Sequence, residues 1–241
     1  MTYPNLKIAF TGLLVLILAA CAGAPQNAEP ETVSETKVET PPAEPVDEEV
    51  MYRVFSGEYL GSEGELQASV DEYLEAAMLS EDPEVAQRAT RIAFAAESWQ
   101  QAAMAADRWA VLAPESVPAH ESAANAMLRV GDYFGAEDPL TRIQEILDDS
   151  TDAWVLVSRI LTLSGDPVQA NDTMDHLAEV RPNANPADVN FARSQIFVGL
   201  GQLEQAFEYA RRAVEAAPDR PELLTWTGRI ALNLELTGTG I

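Results

Sequence analysis

One cysteine and two histidines among 241 residues leave little material for metal or thiol chemistry. Cys21 has no second thiol to pair with, so a disulfide within the chain is excluded. His120 and His176 stand in different segments with no cysteine pair nearby, and structural zinc draws four ligands from such residues. No metal site and no cofactor are therefore expected. Cations are also scarce: 15 Lys and Arg against 39 Asp and Glu leave a net charge of −24 at pH 7. A surface of that sign repels phosphate backbones, which argues against a nucleic-acid partner, and it has no electrostatic hold on anionic lipid. Long apolar runs are missing except Ile8 to Leu18, which is shorter than the ~20 residues a membrane-spanning helix needs. Gly57, Gly61 and Gly64 lack the lysine and the preceding strand of a phosphate-binding loop. The adjacent acids Glu48-Glu49 and Asp148-Asp149 would point apart on a helix, which makes poor acid/base pairs. No catalytic residues are expected, and the chain is read as no enzyme.

What is present is a period. Gly131-Asp132-Tyr133-Phe134-Gly135-Ala136 reads as a turn followed by a helix start, because glycine adopts positive φ without strain and aspartate satisfies nearby backbone donors. Thirty-four residues on, Gly165-Asp166-Pro167-Val168-Gln169-Ala170 repeats the signal, and thirty-four back lies Glu97-Ser98-Trp99-Gln100-Gln101-Ala102. Gly201-Gln202-Leu203-Glu204-Gln205-Ala206 follows at a spacing of thirty-six, the extra residues falling in the loop Asn183-Ala184-Asn185-Pro186. Ala102, Ala136, Ala170 and Ala206 are expected where two helices cross closely, with Trp99, Tyr133 and Leu203 filling the gaps beside them. Polar residues before prolines mark helix starts at Pro83, Pro118 and Pro221.

A two-helix repeat of 34 residues resembles the tetratricopeptide (TPR) family. Trp154-x2-Val157-Ser158-x2-Leu161, Ala170-x3-Met174-x2-Leu177 and Pro182 follow its pattern in one unit. Ser194-x2-Phe197, Ala206-x3-Ala210-x2-Ala213 and Pro218 follow it in the next. The second unit places bulky Trp109 where a small residue is usual, and in the first, Ser56 and Ser69 fill places usually apolar or alanine. The resemblance implies an all-α superhelical solenoid of about five antiparallel hairpins plus one further helix, spanning residues 51–236 with a tail at 237–241. Across that span the chain is also similar to larger TPR lipoproteins of gammaproteobacteria, through the stretch Asp82-Pro83-Glu84-Val85-Ala86-Gln87-Arg88-Ala89-Thr90.

Residues 1–20 are read as a signal peptide, and Leu18-Ala19-Ala20-Cys21 resembles a bacterial lipobox. That implies cleavage before Cys21 and acylation there, palmitate included; several chains on one residue hold a membrane stably where one does not. Ala22, in place of the aspartate that marks inner-membrane retention in enterobacteria, implies the outer membrane, facing the periplasm. From 21 to 50, proline and acidic residues dominate, and such a segment is expected to be a disordered tether.

The resemblance also implies a concave surface lined by the first helix of each repeat. The ninth positions run Glu58, Arg91, Asn125, Arg159, Gln195, Arg229, and the fifth and twelfth bring Phe94, Val155 and Phe191. Arg91, Phe94, Asn125, Val155, Arg159, Phe191, Gln195 and Arg229 are thus the candidate groove for a protein or peptide partner. Against this stands ordinary internal pairing of the arginines with carboxylates such as Glu84, Glu121 and Asp188. Apolar residues on more than one face of 221–236 raise the expectation of self-association there, or of a longer protein. The expected function is a non-enzymatic envelope scaffold; the alternative is an accessory or regulatory N-terminal part of a longer envelope enzyme or complex.

Overall fold

The computed structural model describes residues 47–238, with side chains to 235. The expected leader, Cys21 and the tether up to residue 46 lie outside the described residues. The described chain is all helix: α1 Glu48–Ser62, α2 Leu66–Leu79, α3 Pro83–Ala95, α4 Trp99–Leu112, α5 Val117–Arg129, α6 Tyr133–Ile146, α7 Thr151–Thr162, α8 Pro167–Val180, α9 Pro186–Gly199, α10 Leu203–Ala216 and α11 Pro221–Gly238. This is the TPR solenoid: five hairpins, α1/α2 to α9/α10, followed by a lone first helix, α11.

The helix starts follow from side chains that accept the first free N–H groups. Asp82, Ser116, Ser150, Asp166 and Asn185 each cap the helix that follows them. The array begins earlier than residue 51, because Asp47 accepts from the Glu49 amide at 2.9 Å and opens α1 at Glu48. Asp47-Glu48-Glu49, read as the end of the tether, is a cap and an acidic first turn, where the helix dipole favours negative charge. At the other end α11 runs to Gly238, past the expected 236.

Within the hairpins the turn residue adopts positive φ: Gly64, Gly131, Gly165 and Gly201 at 85°, 81°, 72° and 74°. Glu97 occupies the same place at φ 54°. A side chain there is strained by ~1–2 kcal/mol, partly offset by glycine's greater unfolded entropy. Glu97→Gly is therefore expected to stabilise the array by ~0.5–1 kcal/mol, read as a higher urea midpoint with an unchanged m-value. A lower midpoint would refute this.

All four crossing alanines, Ala102, Ala136, Ala170 and Ala206, have no exposed surface. The first hairpin achieves its close crossing with Gly57, where a Cβ would lie 2.6 Å from the Tyr73 ring. Ser69, the apparent misfit at an alanine position, is buried and donates its hydroxyl to the Gly57 carbonyl at 2.7 Å. The fifth hairpin uses the mirror device: Ser194, on its first helix, donates to the Ala206 carbonyl on the second at 2.8 Å. Bulk is concentrated in the middle, where Leu140, Ile143, Trp154, Leu161, Met174, Leu177 and Ile196 form one buried cluster.

Tyr73 also joins the first two hairpins. Its hydroxyl donates to Glu58 and accepts from Arg88 Nε at 2.8 Å, while Arg88 pairs with Glu58. Burial, then the Glu58 carboxylate, pushes the Tyr73 phenol up to about 12. The tyrosine hydroxyl and Arg88 hold Glu58 below its usual value. A folded-state pKa above the unfolded value of 10 gives stability that is complete below pH 10 and is lost as pH rises toward 12. Tyr73→Phe is expected to flatten the fall in unfolding free energy between those pH values, measured by urea titration. An equally steep fall would show that Tyr73 is not responsible.

Candidate binding groove

The ninth position of each first helix points to one side of the array, and the structure divides the eight candidate residues into distinct groups. On α3 and α5, Arg91, Phe94 and Asn125 line one cleft of about 330 Å³, together with Thr90, Trp109, Pro118, Glu121 and Ser122. Phe94 is held there by an edge contact with Trp99, ring centroids 5.6 Å apart. Trp109, the bulky residue at a normally small position, is 8% exposed and forms part of this cleft's lining. Arg91, Phe94 and Asn125 were expected there from their repeat positions and Glu121 as a carboxylate facing the arginines, whereas Trp109 and Ser122 were not.

The other arginines of the stripe are engaged. Arg159 on α7 reaches back to Glu121 on α5 at 2.9 Å. Both side chains remain substantially exposed, so this pair contributes no more than ~1 kcal/mol and a ligand carboxylate can compete for it. Arg229 on α11 lies over Trp226, 5.0 Å from the ring centroid, and Phe191 packs edge-on against the same ring at 5.7 Å. Gln195 accepts from Ser158 at 2.9 Å, and Val155 is half-buried. Asp188 and Glu84 are not partners of the stripe: Asp188 is buried and pairs with Arg220 at 2.6 Å, and Glu84 makes no ion pair among the described residues. The correction is physical. Loop arginines lie closer to the buried carboxylate than groove arginines do.

Three other arginines, Arg108, Arg142 and Arg181, tie one hairpin to the loop before it. Arg108 donates to the Ser80 carbonyl at 2.8 Å, Arg142 pairs with Glu115, and Arg181 grips Asp149 with two hydrogen bonds of 2.9 and 2.7 Å. Asp148 and Asp149 stand in a loop at positive φ, and Asp149 alone makes this tie. Against that background Arg91 stands out: exposed, at the mouth of an apolar cleft, with no ion pair or hydrogen bond among the described residues. Next to it the Asn125 Oδ1 is shielded from solvent and has no partner. A guanidinium, an amide and an aromatic wall can together hold a peptide backbone or carboxylate and one apolar side chain.

The histidines have local roles. His120 is buried with Nε2 2.9 Å from the Pro114 carbonyl oxygen, and exposed His176 pairs with Glu137 at 2.6 Å, which raises its pKa. Among the described residues no group of three His, Cys, Asp or Glu is placed to hold a metal, and no helix is long and apolar enough to cross a membrane.

No protein-family model matches the chain. A TPR repeat-containing protein of Pseudomonas aeruginosa is 26% identical over 179 residues, covering 70% of this chain. The chain spans 30% of that relative's length. Among solved structures, a MamA protein is similar at 15% identity and TM-score 0.41, over 73% of this chain and 95% of that one. YrrB, described as a TPR protein with an unusual peptide-binding site, matches at 18% identity and TM-score 0.38, over 74% and 92%. A tetratricopeptide repeat protein from Parabacteroides merdae matches at 15% identity and TM-score 0.40, over 81% and 75%.

Proposed function

We propose that this TPR array is a non-enzymatic scaffold of the cell envelope, tethered to the outer membrane by lipid on Cys21 and facing the periplasm. It binds an extended segment of a partner protein in the cleft between α3 and α5. The observation that carries this reading is Arg91, which has no ion-pair or hydrogen-bond partner among the described residues, beside Phe94 and the unsatisfied oxygen of Asn125. The eight-residue stripe narrows to this cleft, with Glu121 and Arg159 as a movable rim. An acidic chain that places an unneutralised arginine over an apolar floor favours a ligand carrying a carboxylate or a backbone carbonyl beside an apolar side chain.

Selection of peptides from a random library against the array is expected to return ligands whose affinity falls tenfold or more with Arg91→Glu. The lost charge-assisted hydrogen bond corresponds to ~1.5–3 kcal/mol. Arg229→Glu, at the far end of the stripe, is expected to leave the same ligands bound. Peptides that bind Arg91→Glu as well as the parent chain would remove the cleft from the reading. The tether is tested separately: Cys21→Ser is expected to abolish palmitate incorporation and release the protein from outer-membrane fractions.

A further inference from the structure

The fourth position of the first helix is apolar and sealed in two units of the array: Ala86 on α3 and Trp154 on α7 have no exposed surface. Thirty-four residues before Trp154, on α5, the same position is held by His120. Its imidazole is 8% exposed, so a polar ring fills a place that packing alone would give to an apolar one. The Nε2 atom lies 2.9 Å from the Pro114 carbonyl oxygen. A carbonyl can only accept, so Nε2 carries the proton and Nδ1 of the neutral ring keeps a lone pair. Among the described residues Nδ1 has no hydrogen-bond partner, and it is not sealed from solvent.

His120 lines a cleft of about 260 Å³ between α4, α5 and α6. Asp107 and Val111 enter this cleft from α4, one turn apart, and Asp138 and Arg142 enter it from α6 in the same way. Asp107 and Asp138 are exposed and make no ion pair or hydrogen bond among the described residues. Arg142, the cation at hand, is already engaged: it pairs with Glu115 and Glu145, and its Nε donates to the Pro114 carbonyl at 3.3 Å. The apolar lining comes from Ala110, Ala123 and buried Pro139, with Val111 beside them 63% exposed. Two carboxylates and an imidazole lone pair, all acceptors, therefore share one apolar cleft. They are not placed to hold a common metal ion, so the matching ligand is a head with several spread donors rather than a point charge.

A long cationic side chain buries an apolar stem and keeps its charged head among acceptors. A guanidinium brings five N–H donors in a fixed plane, where an ammonium brings three. We propose that this cleft takes an arginine side chain presented by a partner protein, with its stem on Ala110, Val111, Ala123 and Pro139 and its head among Asp107, Asp138 and His120 Nδ1. The partner is a different protein of opposite charge: two copies at a net charge of −24 repel each other, and the described residues include no lysine. This second contact surface shares no residue with the α3/α5 cleft, and either can fail without the other.

The chain has two histidines, so the full chain labelled with nitrogen-15 in histidine shows two imidazoles by NMR, and His176, paired with Glu137, is the internal control. Titration with N-acetyl-arginine methylamide at fixed pH is expected to move the His120 Nδ1 resonance along a saturating curve and to leave His176 in place. The neutral isostere N-acetyl-citrulline methylamide is expected to bind at least tenfold more weakly, as the loss of charge-assisted hydrogen bonds implies. Asp107→Asn combined with Asp138→Asn is expected to weaken the arginine probe tenfold or more; both side chains are exposed, and circular dichroism checks that the fold is kept. A stationary His120 resonance overturns the proposal, as does citrulline binding equal to arginine or a curve unchanged in the double variant. Equal movement at His176 overturns it in favour of diffuse attraction to an acidic surface. A His120 shift that depends on protein concentration without any probe overturns it in favour of a second copy of the chain.

Discussion

Trp154→Ala is expected to cost ~3–5 kcal/mol of unfolding free energy, the range for deleting a large side chain from a site that cannot collapse. Trp154 has no exposed surface and sits in the central cluster with Leu161, Met174 and Leu177 from its own hairpin and Leu140 and Ile143 from the one before. Neighbouring alanines cannot close the void, because their backbones already fix the helix crossings. Its Nε1 has no hydrogen-bond partner, so Trp154→Phe removes an unsatisfied donor along with some volume. That variant is expected to lose only ~1–2 kcal/mol. A solenoid is coupled through nearest neighbours, so weakening the fourth of its five hairpins is also expected to separate one cooperative transition into two. Circular dichroism during urea unfolding reads both effects. A loss for Trp154→Ala no larger than for Trp154→Phe would show that the α7/α8 hairpin is not the keystone of the array.

Arg220→Ala is expected to cost ~2–3 kcal/mol, toward the low end for breaking a buried ion pair because the arginine itself is partly wet. Asp188 on α9 is 5% exposed, and one oxygen of its carboxylate accepts from Arg220 Nη1 at 2.6 Å and from Thr151 Oγ1 at 2.8 Å. Those three residues come from the loop before α11, from α9 and from the start of α7, so the interaction joins three successive units. Removing the guanidinium leaves a buried charge with only a hydroxyl for support. Adding Asp188→Asn to Arg220→Ala is expected to restore part of the loss, since a neutral amide is cheaper to bury than an unpaired carboxylate. The double-mutant cycle by urea titration gives the coupling directly. Additive losses would mean that the pair is not a unit.

Those two sites differ in how legible they were. Trp154 could be read from the 34-residue period alone, since the same register places it opposite Ala170, Met174 and Leu177. The Asp188 pairing could not. Sequence placed Asp188 among possible partners for the groove arginines, whereas the superhelical path brings Arg220, from a loop 32 residues further on, against it. The same limit divided the concave stripe. Arg91, Arg159 and Arg229 are equivalent by register, yet one has no partner among the described residues, one pairs with Glu121 and one stacks on Trp226. Gln144, fully buried with both amide atoms unsatisfied, carried no sequence signal at all.

By itself the sequence determined the repeat, the hairpin turns, the helix caps and the alanine crossings, because each depends on residues within a few turns of one another. Glycine or aspartate at a turn and a small residue at a crossing act locally, and a fixed period carries them along the chain. Only the tertiary structure decided which arginine remains without a partner and which serine replaces an alanine by bonding a carbonyl. Those outcomes depend on distances between side chains 30 or more residues apart, set by the superhelical twist and by the bulk of particular residues such as Trp109 and Trp154. A periodic pattern specifies which residues are equivalent. It does not specify what stands across from each one.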